Sequence, residues 1–256
     1  MSHIKGKYIW IIGASSGIGA ALARELSSRG ARLLLSARRE EHLISLSKET
    51  GGQVVLPLDV SDPVMLKNTV DEMVTSGELP DIVINLAALY KPMSFGLMDV
   101  EKTRDIINVN LGGSFYVVSA IVPHFCRRKH GMIVLCGSVA GFCGLPNGQP
   151  YSATKAGVIN LAESLRAELD GTGVDVKLIN PGFVRTDLTA QNSFEMPAMI
   201  EPLEAAKHIA NGLAGRAFEI HFPKRFTRAV KILRYLPYAA YFYLMRFVRK
   251  KDDIKR

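Results

Sequence analysis

Cysteine is scarce. The 256 residues include only Cys126, Cys136 and Cys143. An odd, small number without metal-ligand spacing excludes a disulfide framework and a zinc cluster, and points to a reducing compartment. Long apolar runs are missing too. None reaches the roughly 18 residues of a bilayer-spanning helix. The longest candidate, 236–245, falls well short and contains Pro237. The polar start ahead of Tyr8, and the short apolar stretch after it, do not make a signal-peptide core. Repeats, low-complexity segments and internal linkers are absent as well. What remains is a chain that is 48% hydrophobic, enough to bury one large core.

Charge is distributed unevenly. The net value is +8, yet residues 224–256 hold 11 Lys and Arg against 2 Asp. The chain therefore divides into a nearly neutral body, 1–223, and a strongly basic tail, 224–256.

Through the body, β-rich apolar runs alternate with helical patterns. Strands are predicted at 8–12, 32–36, 54–58, 81–85, 132–136, 174–179 and 218–222. Helices are predicted at 17–29, 40–50, 63–76, 103–129, 152–169 and 202–213. Ser61-Asp62-Pro63 gives a capping residue followed by proline at a helix start. Alternation of this kind makes a parallel sheet covered on both faces: an α/β, Rossmann-type doubly wound fold in one domain, with a basic amphipathic C-terminal extension. Ligands of such folds bind at the carboxyl ends of the strands. Residues 186–201 form the one long irregular segment, of a length that is usually functional.

Gly13-Ala-Ser15-Ser16-Gly17-Ile18-Gly19 follows a strand and opens a helix. Glycine lets phosphate approach the backbone, and the helix start offers free N–H groups. Nucleotide folds that prefer NAD carry an acid after the second strand; here Ser36-Ala-Arg38-Arg39 has none. An arginine suits a 2′-phosphate, so the expected cofactor is NADP (NADPH), held by Arg38 as the first base after the strand. Asp59, with Val60 beside it, fits two roles, bordering the adenine or capping a turn.

Tyr151 and Lys155 stand at i and i+4, on one helix face. An unperturbed phenol, with a pKa of about 10, is a poor base near neutrality, and a nearby ammonium is expected to lower that value. Ser138 ends the strand before them and suits either a substrate oxygen or a turn. Asn110 lies inside a predicted helix, where asparagine is a mediocre former. It suits either a buried hydrogen-bonded core position or a water relay toward Lys155.

Together, Gly13-x-x-x-Gly17-x-Gly19, Asn85-Leu-Ala87-Ala88, Asn110, Ser138, Tyr151-x-x-x-Lys155 and Asn180-Pro181-Gly182 resemble the short-chain dehydrogenase/reductase family, in its single-domain branch, over about residues 5–222. The resemblance implies hydride exchange between a nicotinamide and a carbonyl or hydroxyl. Tyr151 would be the general acid/base, Lys155 would tune it and hold the ribose, Ser138 would orient the substrate oxygen and Asn110 would support the relay. Pro181 and Gly182 would pass the nicotinamide, Thr186 would touch its carboxamide, and Val184 would lie beside them. Homodimers or tetramers built through 103–129 and 152–169 are implied as well. Two positions depart from the family pattern. Ile12 stands where threonine is usual, and Asn85-Leu-Ala-Ala88 replaces Asn-Asn-Ala-Gly.

Phe142, Leu145, Phe183, Phe194, Met196 and Met199 are the expected pocket walls, and they suit a small hydrophobic carbonyl or alcohol. Packing of the loop onto the body would use the same residues. The tail reads as two short helices broken by Pro237. It fits an anionic membrane surface or a helix pair docked on its own domain or a sister subunit. No nucleic-acid-reading element is evident. The expected setting is cytoplasmic, with peripheral membrane attachment through the tail. A rival reading keeps the fold as a catalytically silent NADP-binding or membrane-recruited module.

Overall fold

Alternate residues of the stretch Tyr8–Ile12 face opposite ways, and both faces are buried. Ile9 and Ile11 join one core and Trp10 and Ile12 the other. A strand apolar on both sides belongs in the middle of a covered sheet, and this one, β1, is central. The computed structural model describes residues 4–93, 95–192 and 194–248. Its sheet has seven strands in the order β3-β2-β1-β4-β5-β6-β7, parallel throughout. The other strands are β2 (Arg32–Ser36), β3 (Val54–Val55), β4 (Ile82–Asn85), β5 (Gly131–Cys136), β6 (Val174–Pro181) and β7 (Glu219–Phe222). Strand order reverses between β1 and β4, which opens a crevice at their carboxyl ends.

Helices α1 (Gly17–Ser28), α2 (Glu40–Glu49) and α7 (Pro202–Ala214) cover one face, through residues such as Leu22, Leu43 and Ile209. The other face takes α3 (Pro63–Thr75), α5 (Gly113–Arg128) and α6 (Tyr151–Glu168), through Leu66, Val117 and Val158. The Asp62 carboxylate caps α3 by accepting from Val64 N and Met65 N, at 3.0 and 2.9 Å. The doubly wound fold stands as expected.

Two elements differ from the sequence-based reading. The third strand pairs only over Val54–Val55. Beyond it, Leu56 N and Leu58 N still donate to Leu35 O and Ala37 O, at 2.9 and 3.1 Å, so the chain keeps its line to Asp59. The helix expected at 103–129 begins earlier, as α4 (Val100–Ile107), and passes through a π-turn at Asn108–Gly112 before α5. The whole run, Val100–Arg128, is long and apolar enough to cross a membrane. Val117, Ile121 and Phe125 are nevertheless fully buried against the sheet, as in the core helix of a domain.

The tail continues directly from β7. It forms α8 (Lys224–Ile232), a single 3-10 turn, Pro237 and α9 (Tyr238–Val248). The expectation of two helices broken at proline holds for the described part. Residues 249–256, which carry the remaining basic charges, lie outside the described residues.

Candidate active site

The glycine turn is shaped by lack of room. Gly13 has φ +91°, and a Cβ there would lie 2.6 Å from Ala87 N. On Gly19 it would lie 2.0 Å from Gly13 O. Gly13 N and Ala14 N both donate to Ser36 O, at 2.8 and 3.1 Å, and Leu86 N donates to Ile12 O at 2.8 Å. Backbone alone thus ties β1 to both neighbours at Ile12. The start of α1 has no side-chain cap on Ser16 and no acid in its first turn. Its first N–H groups and the positive end of its dipole suit an anionic phosphate.

Beside this turn lies a cleft of about 340 Å³, lined by Gly13, Ser15, Arg38, Arg39, Asp59, Val60 and Ala87 among others. The residues present therefore fit a nucleotide. Arg39, which sequence reasoning passed over in favour of Arg38, reaches back across the turn. Its guanidinium donates to Ser15 Oγ at 3.1 Å and Ser16 Oγ at 2.8 Å. Arg38 is exposed and lines the same cleft. Asp59 takes the turn-capping role. It accepts from Ser61 N and Ser61 Oγ, at 2.9 and 2.6 Å, and it borders the cleft. Burial pushes its carboxyl up, but the Ser61 bonds and the Arg38 charge outweigh that and hold it below the ordinary value.

Asn85 is buried at the end of β4. Its Nδ2 donates to Ser114 Oγ at 3.3 Å and its Oδ1 accepts from Ala87 N at 3.2 Å. Across the turn, a Cβ on Gly17 would sit 3.0 Å from Thr186 Cγ2, so the loop after β6 reaches the glycine turn. Gly182 N donates to Phe222 O at 2.7 Å, just past Pro181, and Val184 is buried in a bridge with Ile200. The segment 186–201 is therefore closed at its base.

The catalytic candidates gather at the carboxyl end of β5. Ser138 caps a short turn, accepting from Ala140 N at 3.1 Å, and also hydrogen-bonds the Tyr151 phenol. Lys155 is buried. Its Nζ donates to Cys136 O at 2.8 Å and lies 5.5 Å from the Tyr151 ring centroid. The expected lowering of the phenol pKa is not what the structure shows. Burial raises it, the neighbouring Cys136 and Tyr90 add to the rise, and the Ser138 hydrogen bond opposes it only in part. Burial also pushes the Lys155 ammonium down. Desolvation dominates, with Lys155 buried and Tyr151 half-buried.

Asn110 sits in the π-turn and is fully engaged. Its Oδ1 accepts from Leu89 N at 2.7 Å, and its Nδ2 donates to Leu89 O at 2.9 Å and Thr154 Oγ1 at 3.1 Å. It ties the loop after β4 to the helix that carries Tyr151 and Lys155. π-Turns recur at functional sites because they re-aim a side chain. Asn110→Ala leaves the half-buried Leu89 N and O without their partner, while Thr154 Oγ1 keeps its bond to Tyr151 O; an unpaired buried polar group costs about 1–3 kcal/mol. The expected result is a clear drop in the urea midpoint together with slower turnover. An unchanged midpoint would show that water replaces the amide freely.

Tyr90 was not singled out from the sequence. Its ring packs edge-on against Tyr151, with centroids 5.0 Å apart, and its hydroxyl donates to Asn192 Oδ1 at 2.5 Å. Asn192 Nδ2 in turn donates to Met196 Sδ at 3.3 Å. Phe183 meets Phe194 at 5.9 Å and Phe226 of α8 at 5.6 Å. Leu145 is partly exposed, whereas Phe142 is buried in the core, with the Lys231 ammonium 5.7 Å from its ring. No group of His, Cys, Asp and Glu able to hold a metal occurs among the described residues.

Comparison with known proteins agrees with this geometry. The family model described as short chain dehydrogenase matches residues 7–196. An uncharacterized oxidoreductase of Myxococcus xanthus is 34% identical over 241 residues, covering 93% of this chain and 95% of the relative. The 3-oxoacyl-[acyl-carrier-protein] reductase FabG of Escherichia coli is 32% identical over 219 residues, covering 83% and 90%. A solved short chain dehydrogenase from Burkholderia cenocepacia J2315, in complex with NADP, superposes with a TM-score of 0.75 at 26% identity, covering 85% of this chain and 88% of that one. The chain belongs to the short chain dehydrogenase family of oxidoreductases. Nicotinamide cofactors are those of the family.

Proposed function

We propose that the protein is an NADP(H)-dependent reductase of small hydrophobic carbonyls, with Tyr151 as its general acid/base. The observation that carries this reading is the grouping of Ser138, Tyr151 and Lys155 at the end of β5, the latter two on a helix that Asn110 ties to Leu89 in the wall of the arginine-flanked cleft beside the glycine turn. The NADP bound in the Burkholderia relative supports the choice of cofactor.

Bound there, the nicotinamide supplies a hydride in reduction and accepts one in oxidation. Gly13, Ser15, Ser16, Gly17, Ile18 and Gly19 would hold the phosphates, with Arg38 and Arg39 on the 2′-phosphate. Asp59 and Val60 would border the adenine. Asn85, Ala87, Pro181, Gly182, Val184 and Thr186 would shape the remaining wall, and Lys155 would hold the ribose. Tyr151 gives its phenolic proton to the substrate oxygen, and the Ser138 hydroxyl fixes that oxygen by a hydrogen bond. Asn110 positions the helix that carries both Tyr151 and Lys155.

The wall formed by Leu145, Phe183, Phe194 and Met196 favours an apolar substrate, with Phe142 backing it from the core. Self-association into dimers or tetramers would use the exposed Val100, Ile107 and Phe115 along α4 and α5. We place the protein in the cytoplasm.

The test is NADPH oxidation across a panel of hydrophobic ketones and aldehydes, with NADH in parallel. Turnover with NADPH is expected. NADPH binding without turnover of any member would favour the rival, a catalytically silent module.

A further inference from the structure

We propose that the outer face of α8 and α9 docks on an anionic lipid bilayer, and that this docking holds the mouth of the active site against the lipid. The docking goes beyond the reductase reading and stands without it. Only its consequence for substrate entry rests on that reading.

The first observation is an apolar helix left in water. Among the 11 residues of α9, Arg246 is the only charged one. Tyr241 is buried, but Tyr238, Phe242, Tyr243 and Phe247 are exposed by 79, 60, 58 and 74%. Tyr235, just before the helix, is exposed by 74%. Large aromatics normally bury most of their area. A contiguous apolar surface of this kind marks a contact site.

Charge is the second observation. No acid occurs from Lys224 to Val248. Lys224, Arg225, Arg228 and Arg246 are exposed. Arg225, Arg228, Ile232 and Tyr235 recur at helical spacing along one face. Arginines beside Tyr and Phe suit the headgroup layer, where rings enter the acyl boundary and bases meet anionic lipid. A second copy would bring two basic faces together, which charge opposes.

Thirdly, the inner face is already occupied. The Lys231 ammonium donates to Glu219 Oε2 at 2.5 Å, Thr227 Oγ1 pairs with His221 Nδ1 at 2.6 Å, and Arg234 lies 3.6 Å from Glu163. The Tyr241 hydroxyl donates to Gly144 O. Both helices are therefore clamped to their own domain by one face, and the other is free. Gly144 lies in the loop that leads into Tyr151, and Phe226 of α8 touches Phe183 of the substrate wall. A bilayer on α9 thus lies beside the route to Tyr151, and a carbonyl dissolved in lipid would reach it without crossing water.

The experiment is flotation of the full chain with vesicles of phosphatidylcholine, with and without phosphatidylserine. Two variants accompany it: Y238S with F242S and F247S, and R225E with R228E. The full chain should float only with phosphatidylserine present, and each variant should lose on the order of tenfold in bound fraction. Both should keep wild-type circular dichroism and wild-type turnover of a water-soluble aldehyde. Failure of the full chain to float with phosphatidylserine would overturn the proposal. So would undiminished flotation of both variants. A dimer mass by light scattering that the aromatic variant abolishes, with no flotation of the parent, would assign the face to a second copy instead. Flotation without NADPH oxidation leaves the docking intact and removes the reductase reading alone.

Discussion

Tyr151→Phe should reduce carbonyl turnover by roughly 10²–10⁴-fold, the usual span for a general acid, while NADPH still binds. The substitution removes one oxygen and leaves the ring that packs on Tyr90, so folding should be undisturbed. Ser138 keeps its bond from Ala140 N, and Lys155 keeps Cys136 O. The lost group is then the proton donor alone, and the deficit should fall in kcat rather than in KM. Burial holds the wild-type phenol above its ordinary value, so it stays protonated through the mildly acidic and mildly alkaline range. Reduction should be nearly flat with pH there. Stopped-flow NADPH oxidation and a fluorescence titration of NADPH test both points. A fully active variant would end the assignment, and a wild-type profile that titrates near neutrality through Tyr151 would falsify the burial argument.

The second large effect is expected from Arg38→Ala combined with Arg39→Ala. A charge-assisted bond from guanidinium to phosphate is worth about 1.5–3 kcal/mol, so losing two should raise the KM for NADPH by on the order of 10²–10⁴. The KM for NADH, which has no 2′-phosphate, should change little, and kcat with either cofactor should hold. Arg39 should account for the larger share, because its guanidinium already lies over Ser15 and Ser16. An equal loss with NADH would mean that the arginines support the turn rather than read the phosphate.

The choice between Arg38 and Arg39 shows where sequence reading stops. Chain direction out of β2 identifies a basic pair, but which guanidinium folds back depends on side-chain torsions that spacing does not encode. The parallel sheet and the glycine turn were legible because they rest on local periodicity and steric room, whereas the strand order came only with the structure. Ser138, Tyr151 and Lys155 were legible as a motif, but the direction of the phenol's pKa was not, since burial comes from the whole fold. Tyr90 carried no signal at all. It follows β4 in an irregular loop, and its partner Asn192 is 102 residues away. The π-turn was also hidden, because its extra residue leaves helical periodicity almost intact. The tail's two helices could be read, whereas the Tyr241 bond that fixes α9 to Gly144 could not.

The bridge between Val184 and Ile200 separates two kinds of change. Fastened at its neck, the segment beyond it is a module whose tip can be recut while the sheet keeps its shape. On the proposed reading, swaps at Phe194 or Met196 would retune which molecules are admitted, whereas loosening the neck would disturb Thr186 against Gly17. Selectivity in this protein can therefore drift through the tip faster than the reaction itself.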